Sequence, residues 1–304
     1  MIEGSPKPSV ETGEKHVETL SSIRDLRGDL HMHSLASWEA NDSRGTYTVE
    51  ELASYIRERV GIKEGDQPGV EYISITDHAT NDKAIPDGPK ETVDRRILAQ
   101  KTEIDRLNES GKFPGLTIQA GIETALTPAG DPDVSDHILK QLDIVIASIH
   151  EPPDLPGNKR VEMYRRVVEN PYVDILGHPF GATWWGKDYD WLSDEQAREV
   201  IDLAKTHDKA IEINAAQLDH YSPAIMQAIA DSEVKVSFGT DTHDDPKIKA
   251  NKPLGISGWR PYVKTAELIK KFGIRKSNIL NTYPLAEYQA WRQARIEKFT
   301  TATE

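Results

Sequence analysis

Two short patterns in the chain have the spacing of chemistry. His31-x-His33 and Asp241-x-His243 each place two metal-ligating side chains two residues apart. If each lies in an extended segment, both members leave the same face and can reach one ion. Further candidates stand alone: Asp77-His78, Glu123, His150, His178 and Asn214. Neutral imidazoles with carboxylates and no thiolates suit Zn, Mn or Fe at a hydrolytic site. Glu123 is the natural bridge between two ions, because a carboxylate has one oxygen for each.

The elements that must position these residues are legible as an alternation. Short β-rich runs occur at Asp29–His33, Glu71–Thr76, Leu116–Ile122, Asp143–Ile149, Val173–Leu176, Ala210–Ile213 and Val234–Phe238. Most are near-continuously apolar, as expected of strands covered on both faces. Between them lie helix signals. Thr48-Val-Glu-Glu51 and Ser193-Asp-Glu-Gln196 read as capping boxes, and Ser222-Pro223 as an N-cap followed by proline at the first helical position. Glu91–Ser110, Arg160–Asn170, Tyr262–Phe272 and Pro284–Phe299 read as further helices. Alternating strands and helices predict a parallel sheet. Seven strands predict an α/β fold, a distorted seven-stranded (β/α)7 TIM-like barrel, with an open sheet as the second choice.

Position is the decisive feature. Every predicted strand finishes in, or is followed within three residues by, His, Asp, Glu or Asn, and six of the ten histidines sit there. In parallel α/β folds the carboxyl ends of the strands share one face, where active sites are built. One such histidine alone would read as a core or surface residue. Six of them with two spaced pairs read as a cluster. His16, His137 and His207 fall outside this pattern. His220 follows the sixth strand on the expected active-site side and is a candidate substrate contact. Asp29 and Asp77 stand beside candidate ligands, as orienting partners or as turn residues.

Composition narrows the field. The 304 residues carry 37 Lys and Arg against 50 Asp and Glu, a formal charge of −13. That acidity argues against a broad nucleic-acid surface. There is no cysteine, which excludes disulfides, thiolate metal sites and a cysteine nucleophile. No apolar run is long enough to span a membrane, and the N-terminus lacks a signal-peptide core. A cytoplasmic protein is expected. No GxSxG elbow, GxxxxGK[ST] loop or GxGxxG turn is present. Residues 1–23 are expected to be a flexible extension, 24–299 the barrel and 300–304 a frayed tail.

The motifs occur in a recognisable order: DLHMHS at 29–34, ITDH at 75–78, GIE at 121–123, IASIHEP at 146–152, ILGHP at 175–179, EIN at 212–214 and GTDTH at 239–243. This ordered set resembles the PHP (polymerase and histidinol phosphatase) family. Two subgroups come close: the PHP domain of bacterial family X DNA polymerases and the small stand-alone PHP phosphatases. With no polymerase domain ahead of the motifs in this sequence, a stand-alone protein is expected.

The resemblance implies a distorted seven-stranded barrel with two or three divalent metal ions. Carried over residue by residue, the first site would use His31, His33, Glu123 and Asp241. The second would share Glu123 and add His150 and His178. The third would use His78, His243 and a residue of the loop after His33, which in family members is a His or an Asp. A gap-free reading puts Glu39 there and is the one adopted; the spacing to Gly45 would instead favour Asp42.

The expected activity is metal-dependent hydrolysis of a phosphate ester. Glu123 and Asp241 would hold the catalytic ions, and Asp77 is a candidate general acid. Lys159, Arg160 and Lys187 are candidate phosphate contacts. The adjacent Trp184 and Trp185 are candidate walls against an organic leaving group, and Asn214 joins His220 as a candidate substrate contact. A small phosphorylated substrate is favoured. Nucleic-acid ends, and a non-catalytic metal-binding regulatory barrel, are the alternatives. The sequence leaves the oligomeric state open.

Overall fold

The computed structural model describes residues 18–37, 45, 47–57, 69–78, 90–150, 155–181, 191–242 and 256–301. Seven parallel strands form one sheet in the order of the chain. They are β1 (Gly28–Met32), β2 (Tyr72–Ile75), β3 (Thr117–Ala125), β4 (Ile144–Ser148), β5 (Ile175–Leu176), β6 (Ala210–Glu212) and β7 (Lys235–Ser237). Each falls on one of the β-rich runs expected from the sequence. The helices are α1 (Val49–Tyr55), α2 (Lys90–Glu109), α3 (Asp136–Leu139), α4 (Gly157–Val167), α5 (Asp194–Thr206), α6 (Pro223–Ser232), α7 (Ile256–Lys271) and α8 (Leu285–Thr301). Both capping boxes form, at Thr48–Glu51 and Ser193–Gln196, and the Ser222 hydroxyl accepts from the Ile225 N–H. Only the single turn of α3 lacks a sequence signal of its own. No described helix is long and apolar enough to cross a membrane.

The sheet curls into a distorted barrel that closes between β1 and β7 by a few contacts rather than a full ladder. Met32 pairs with Thr242, and the Asp241 N–H donates to the His31 carbonyl at 2.8 Å. Lower down, the Asn281 side chain stitches the seam. Its Nδ2 donates to the carbonyls of Gly28 (2.9 Å) and Phe238 (2.6 Å), and its Oδ1 accepts from the Phe238 N–H (2.9 Å). A buried amide with its hydrogen bonds met in this way substitutes for two missing ladder rungs.

Strand alternation divides the core. Val145 and Ala147 pack outward with the helices, while Ile144 and Ile146 join Leu30, Tyr72 and Ile175 inside the barrel. Leu280, Tyr283 and Tyr288 close this inner cluster from below. One irregularity matters for the site. Asp29 pairs with Ile73 but Met32 pairs with Ile75, so β1 carries one extra residue against β2. This bulge breaks the alternation: Leu30 fills the barrel interior and yet the next residue, His31, also faces inward.

Candidate metal centre

The strand ends bring seven of the sequence-selected side chains together above the apolar interior. His31 and His33 come from β1 and the residue after it, His78 from the turn after β2, Glu123 from β3, His150 and His178 from beyond β4 and β5, and Asp241 from beyond β7. All but His150 are fully buried. Its side chain is 17 % exposed against 2 % or less for the other imidazoles. His150 therefore marks the side from which solvent reaches the cluster.

Glu123 is the hub. Its Oε2 lies 3.1 Å from His31 Nε2, 3.3 Å from His33 Nε2 and 3.3 Å from His78 Nε2. Its Oε1 lies 2.8 Å from His178 Nε2 and 3.2 Å from His150 Nε2, and accepts the Ser148 hydroxyl at 2.6 Å. The two oxygens thus face two different sets of imidazoles. Among the described residues, every ion-pair contact to Glu123 comes from a histidine. Asp241 Oδ1 completes the first set, 3.6 Å from His31 Nε2 and 3.2 Å from His33 Nε2, which are themselves 3.0 Å apart.

These separations fit a cation. A tetrahedral ion with ligand arms of about 2.1 Å holds its donors roughly 3.4 Å apart. The measured edges among His31, His33, Glu123 and Asp241 run from 3.0 to 3.6 Å. Two groups of donors converge closely enough for an ion: His31, His33, Glu123 and Asp241, and His78, Glu123 and His150. His78 stands with His150 in the second group, whereas the sequence expectation paired His150 with His178 and assigned His78 to a third site. His243, Glu39 and Asp42 lie outside the described residues, as do Trp184, Trp185 and Lys187.

The electrostatics agree. Burial alone would lower the His31 imidazole, but the carboxylates of Glu212, Glu123 and Asp241 outweigh it and hold it well above its ordinary value. Burial alone would raise Glu123, but His78, His31 and His150 leave it well below the usual carboxylate range. The pocket is built to keep positive charge among its donors.

Around the donors, a further ring of groups fixes their orientation. Glu212 Oε1 faces His31 Nδ1 at 2.6 Å, and its Oε2 accepts the His178 N–H at 2.9 Å. The Ser37 hydroxyl lies 3.1 Å from His33 Nδ1 and accepts the His78 N–H at 3.1 Å. Asp29 Oδ1 accepts the N–H groups of His31 (3.1 Å) and Thr240 (3.2 Å), and burial pushes its carboxyl up to about 7. Two candidate ligands hold strained backbone: His178 at φ 28° and Asp241 at φ 47° lie in the left-handed region, a strain typical of functional sites. Glu212 and Ser37 were not assigned a role from the sequence. Glu212 had a signal, the strand-end EIN motif, whereas Ser37 had none.

Several expected substrate or acid residues are placed differently. The Asp77 carboxylate accepts the N–H and hydroxyl of Ser34 and the Gln100 amide, so it clasps the loop after β1 rather than facing an open site. The Asn214 amide is buried and donates to Asp241 Oδ2 at 2.9 Å. Arg160 is buried, its guanidinium 3.5 Å over the Trp191 ring, and is not offered to a substrate. Lys159 is exposed and pairs with Glu162 at 2.6 Å. His220 is half-buried against Gly181, where a Cβ would come within 2.4 Å of its ring.

No family model matches the chain. A DNA polymerase/3'-5' exonuclease PolX of Bacillus subtilis is 32 % identical over 292 residues, covering 93 % of this chain and 45 % of that protein. The chain therefore spans less than half of that polymerase. A protein named probable phosphatase, from Caldanaerobacter subterraneus, is 28 % identical over 228 residues, covering 71 % of this chain and 75 % of its own. Among solved structures, histidinol phosphate phosphatase from Lactococcus lactis, complexed with zinc, L-histidinol and phosphate, superposes with a TM-score of 0.53. It is 19 % identical over 82 % of this chain and 94 % of its own. That likeness speaks for the fold, and it is the same barrel that the seven motifs require. The motifs stand in PHP-family order on consecutive strand ends, and the chain is similar both to a polymerase/exonuclease and to a protein named probable phosphatase.

Proposed function

We propose that the chain hydrolyses phosphate monoesters at a centre of two or three divalent ions held at the carboxyl end of the barrel. The observation that carries this reading is the split coordination sphere of Glu123, one oxygen towards His31, His33 and His78 and the other towards His150 and His178. His31, His33 and Asp241 would complete one position. His150, with His78 or His178, would complete a second, and Glu39 with His243 would serve a third. When bound, such ions supply Lewis acidity and a nucleophile at neutral pH. The residues do the rest. Glu212 and Ser37 fix the imidazole orientations, Asn214 fixes Asp241, and the apolar floor beneath keeps the cluster dry. The partly open side at His150 is the proposed approach of the phosphate. His220 and the loop carrying Trp184, Trp185 and Lys187 are proposed to meet the organic part of the substrate.

A second reading is favoured by one observation, the 32 % identity to a polymerase/exonuclease across nearly the whole of this chain. On that reading the substrate is a nucleic-acid end. The net charge of −13 favours the small ester. Turnover of an aryl phosphate and of a short oligonucleotide by metal-free protein, then with Zn²⁺, Mn²⁺ or Fe²⁺ restored, tests both. Chelation is expected to abolish hydrolysis and the metals to restore it. Activity that survives chelation sinks the proposal. Oligonucleotide turnover that falls steeply with salt favours the second reading.

A further inference from the structure

His178 carries a left-handed backbone, φ 28°, which a non-glycine residue keeps only where its surroundings impose it. Without that turn its imidazole would not point at Glu123, 2.8 Å away. The His178 N–H is held by Glu212 and its carbonyl accepts the Gly181 N–H at 3.3 Å. The next residue is held from outside the barrel. The Pro179 carbonyl accepts the indole N–H of Trp191 at 2.8 Å, and both groups are buried. Trp191 stands just ahead of α5. The Arg160 guanidinium, from α4, lies 3.5 Å over its ring and is tied back by Nε to the Leu155 carbonyl at 3.1 Å. A desolvated guanidinium on a tryptophan face is a strong, planar contact.

We propose that Trp191 and Arg160 are positioning residues for His178: Arg160 clamps the indole, the indole pins the Pro179 carbonyl, and the pinned turn aims the imidazole at the metal centre. This rests on the metal-centre reading above. It also gives Arg160 a task that its burial allows, in place of the phosphate contact expected from the sequence.

The test is calorimetric titration of the metal-free full chain with Zn²⁺ and with Mn²⁺ alone. The variants are Trp191→Phe, His178→Ala and the double substitution, with thermal unfolding of each metal-free protein. Trp191→Phe keeps a ring beneath Arg160 and removes only the N–H. The ion weakened by His178→Ala is expected to bind about tenfold more weakly in Trp191→Phe, while metal-free melting stays close to wild type. In the His178→Ala background the second substitution should change nothing further. Wild-type affinities in Trp191→Phe, or losses that add in the double variant, overturn the proposal. Should Trp191→Phe not fold, Arg160→Lys must weaken the same ion by a smaller factor, and unchanged affinity there is equally fatal. A wild-type chain that binds neither cation overturns the metal-centre reading, and this proposal with it.

Discussion

At the lower end of the barrel Asp174 is buried and meets permanent cations. Arg292 Nε donates to it at 2.9 Å, Arg295 pairs with it, and the Val145 N–H adds 2.8 Å. At the upper end Glu123 is just as buried, but its partners are imidazoles and one hydroxyl. In the lower cluster the positive charge comes from the chain itself: α8 brings two guanidinium groups to one carboxylate. The upper cluster points five imidazole nitrogens at one carboxylate. Two of those nitrogens face each other at 3.0 Å, where they cannot both carry protons. Buried charge that is paired within the chain belongs to the scaffold. Buried donors that converge without a permanent cation call for a ligand from outside.

The contrast is open to attack at its hub. Glu123→Gln is expected to lose at least one bound ion per chain and to slow aryl phosphate hydrolysis at least about 100-fold, about 2.7 kcal/mol. Metal-free, the same variant should unfold within about 1 kcal/mol of wild type, since a site shaped for a ligand is not optimised for stability. Elemental analysis, kinetics and denaturant unfolding read the three effects. Full metal content in the variant would end the bridging assignment.

The mirror experiment is Asp174→Asn. It leaves Arg295 and Arg292 facing an uncharged partner in a buried site, so a stability loss of about 3–5 kcal/mol is expected. Metal content per folded chain should be unchanged. If Asp174→Asn costs nothing in denaturant unfolding but empties the metal centre, the division between the two ends is wrong.

A smaller effect is expected one step out from the donors. Glu212→Gln keeps an oxygen for the His178 N–H but weakens the anchor of His31 Nδ1, and should lower metal affinity by about 10–100-fold. Competition with a chromophoric chelator measures it. An affinity within twofold of wild type would show that the 2.6 Å contact orients nothing.

Much of this architecture was legible in the sequence because it rests on repeated signals. Most of the strands were near-continuous apolar runs, and three of the helix starts carried capping residues. The candidate donors stood at strand ends, where a parallel barrel gathers them. What was not legible depends on single, non-local contacts. The β1 bulge that turns both Leu30 and His31 inward has no glycine or proline to announce it. Asn281 reads as one polar residue between apolar neighbours, and only closure of the barrel gives it three backbone partners. Asp77 beside His78 looked like chemistry, and the Ser34 and Gln100 that occupy it lie 43 and 23 residues away. Arg160 looked like a phosphate contact because it is a fixed positive charge that follows the fourth strand on the expected active-site face. Its burial depends on Trp191, 31 residues further along.

The subtlest difference between the two ends concerns protons. Lys209 is buried in the lower half, where Nζ donates to the carbonyls of Asn170 (2.6 Å) and Val173 (2.8 Å) and lies 4.5 Å over the Phe299 ring. Burial, aided by Arg295, outweighs the pull of Asp174 and holds its amine well below the usual lysine value of 10.5. The folded chain therefore binds this proton less readily than the unfolded chain. Stability must rise with pH from the depressed value up towards 10.5, and the cost of the charge is fully present below that window. A neutral amine still has two N–H groups for its two carbonyls, so deprotonation breaks neither bond. Lys209→Met removes the titration along with both hydrogen bonds, and the lost bonds give an offset that does not change with pH. The unfolding free energy of wild type minus that of Lys209→Met, measured in urea across alkaline pH, is expected to rise with pH. For one proton the slope cannot exceed about 1.4 kcal/mol per pH unit. Tyrosines and the remaining lysines titrate alike in both proteins and cancel in the difference. A flat difference would mean that Lys209 titrates as in the unfolded chain, and a falling one that its charge is stabilised where it sits. Either result would make the lower end a site that holds its charges for reasons other than pairing.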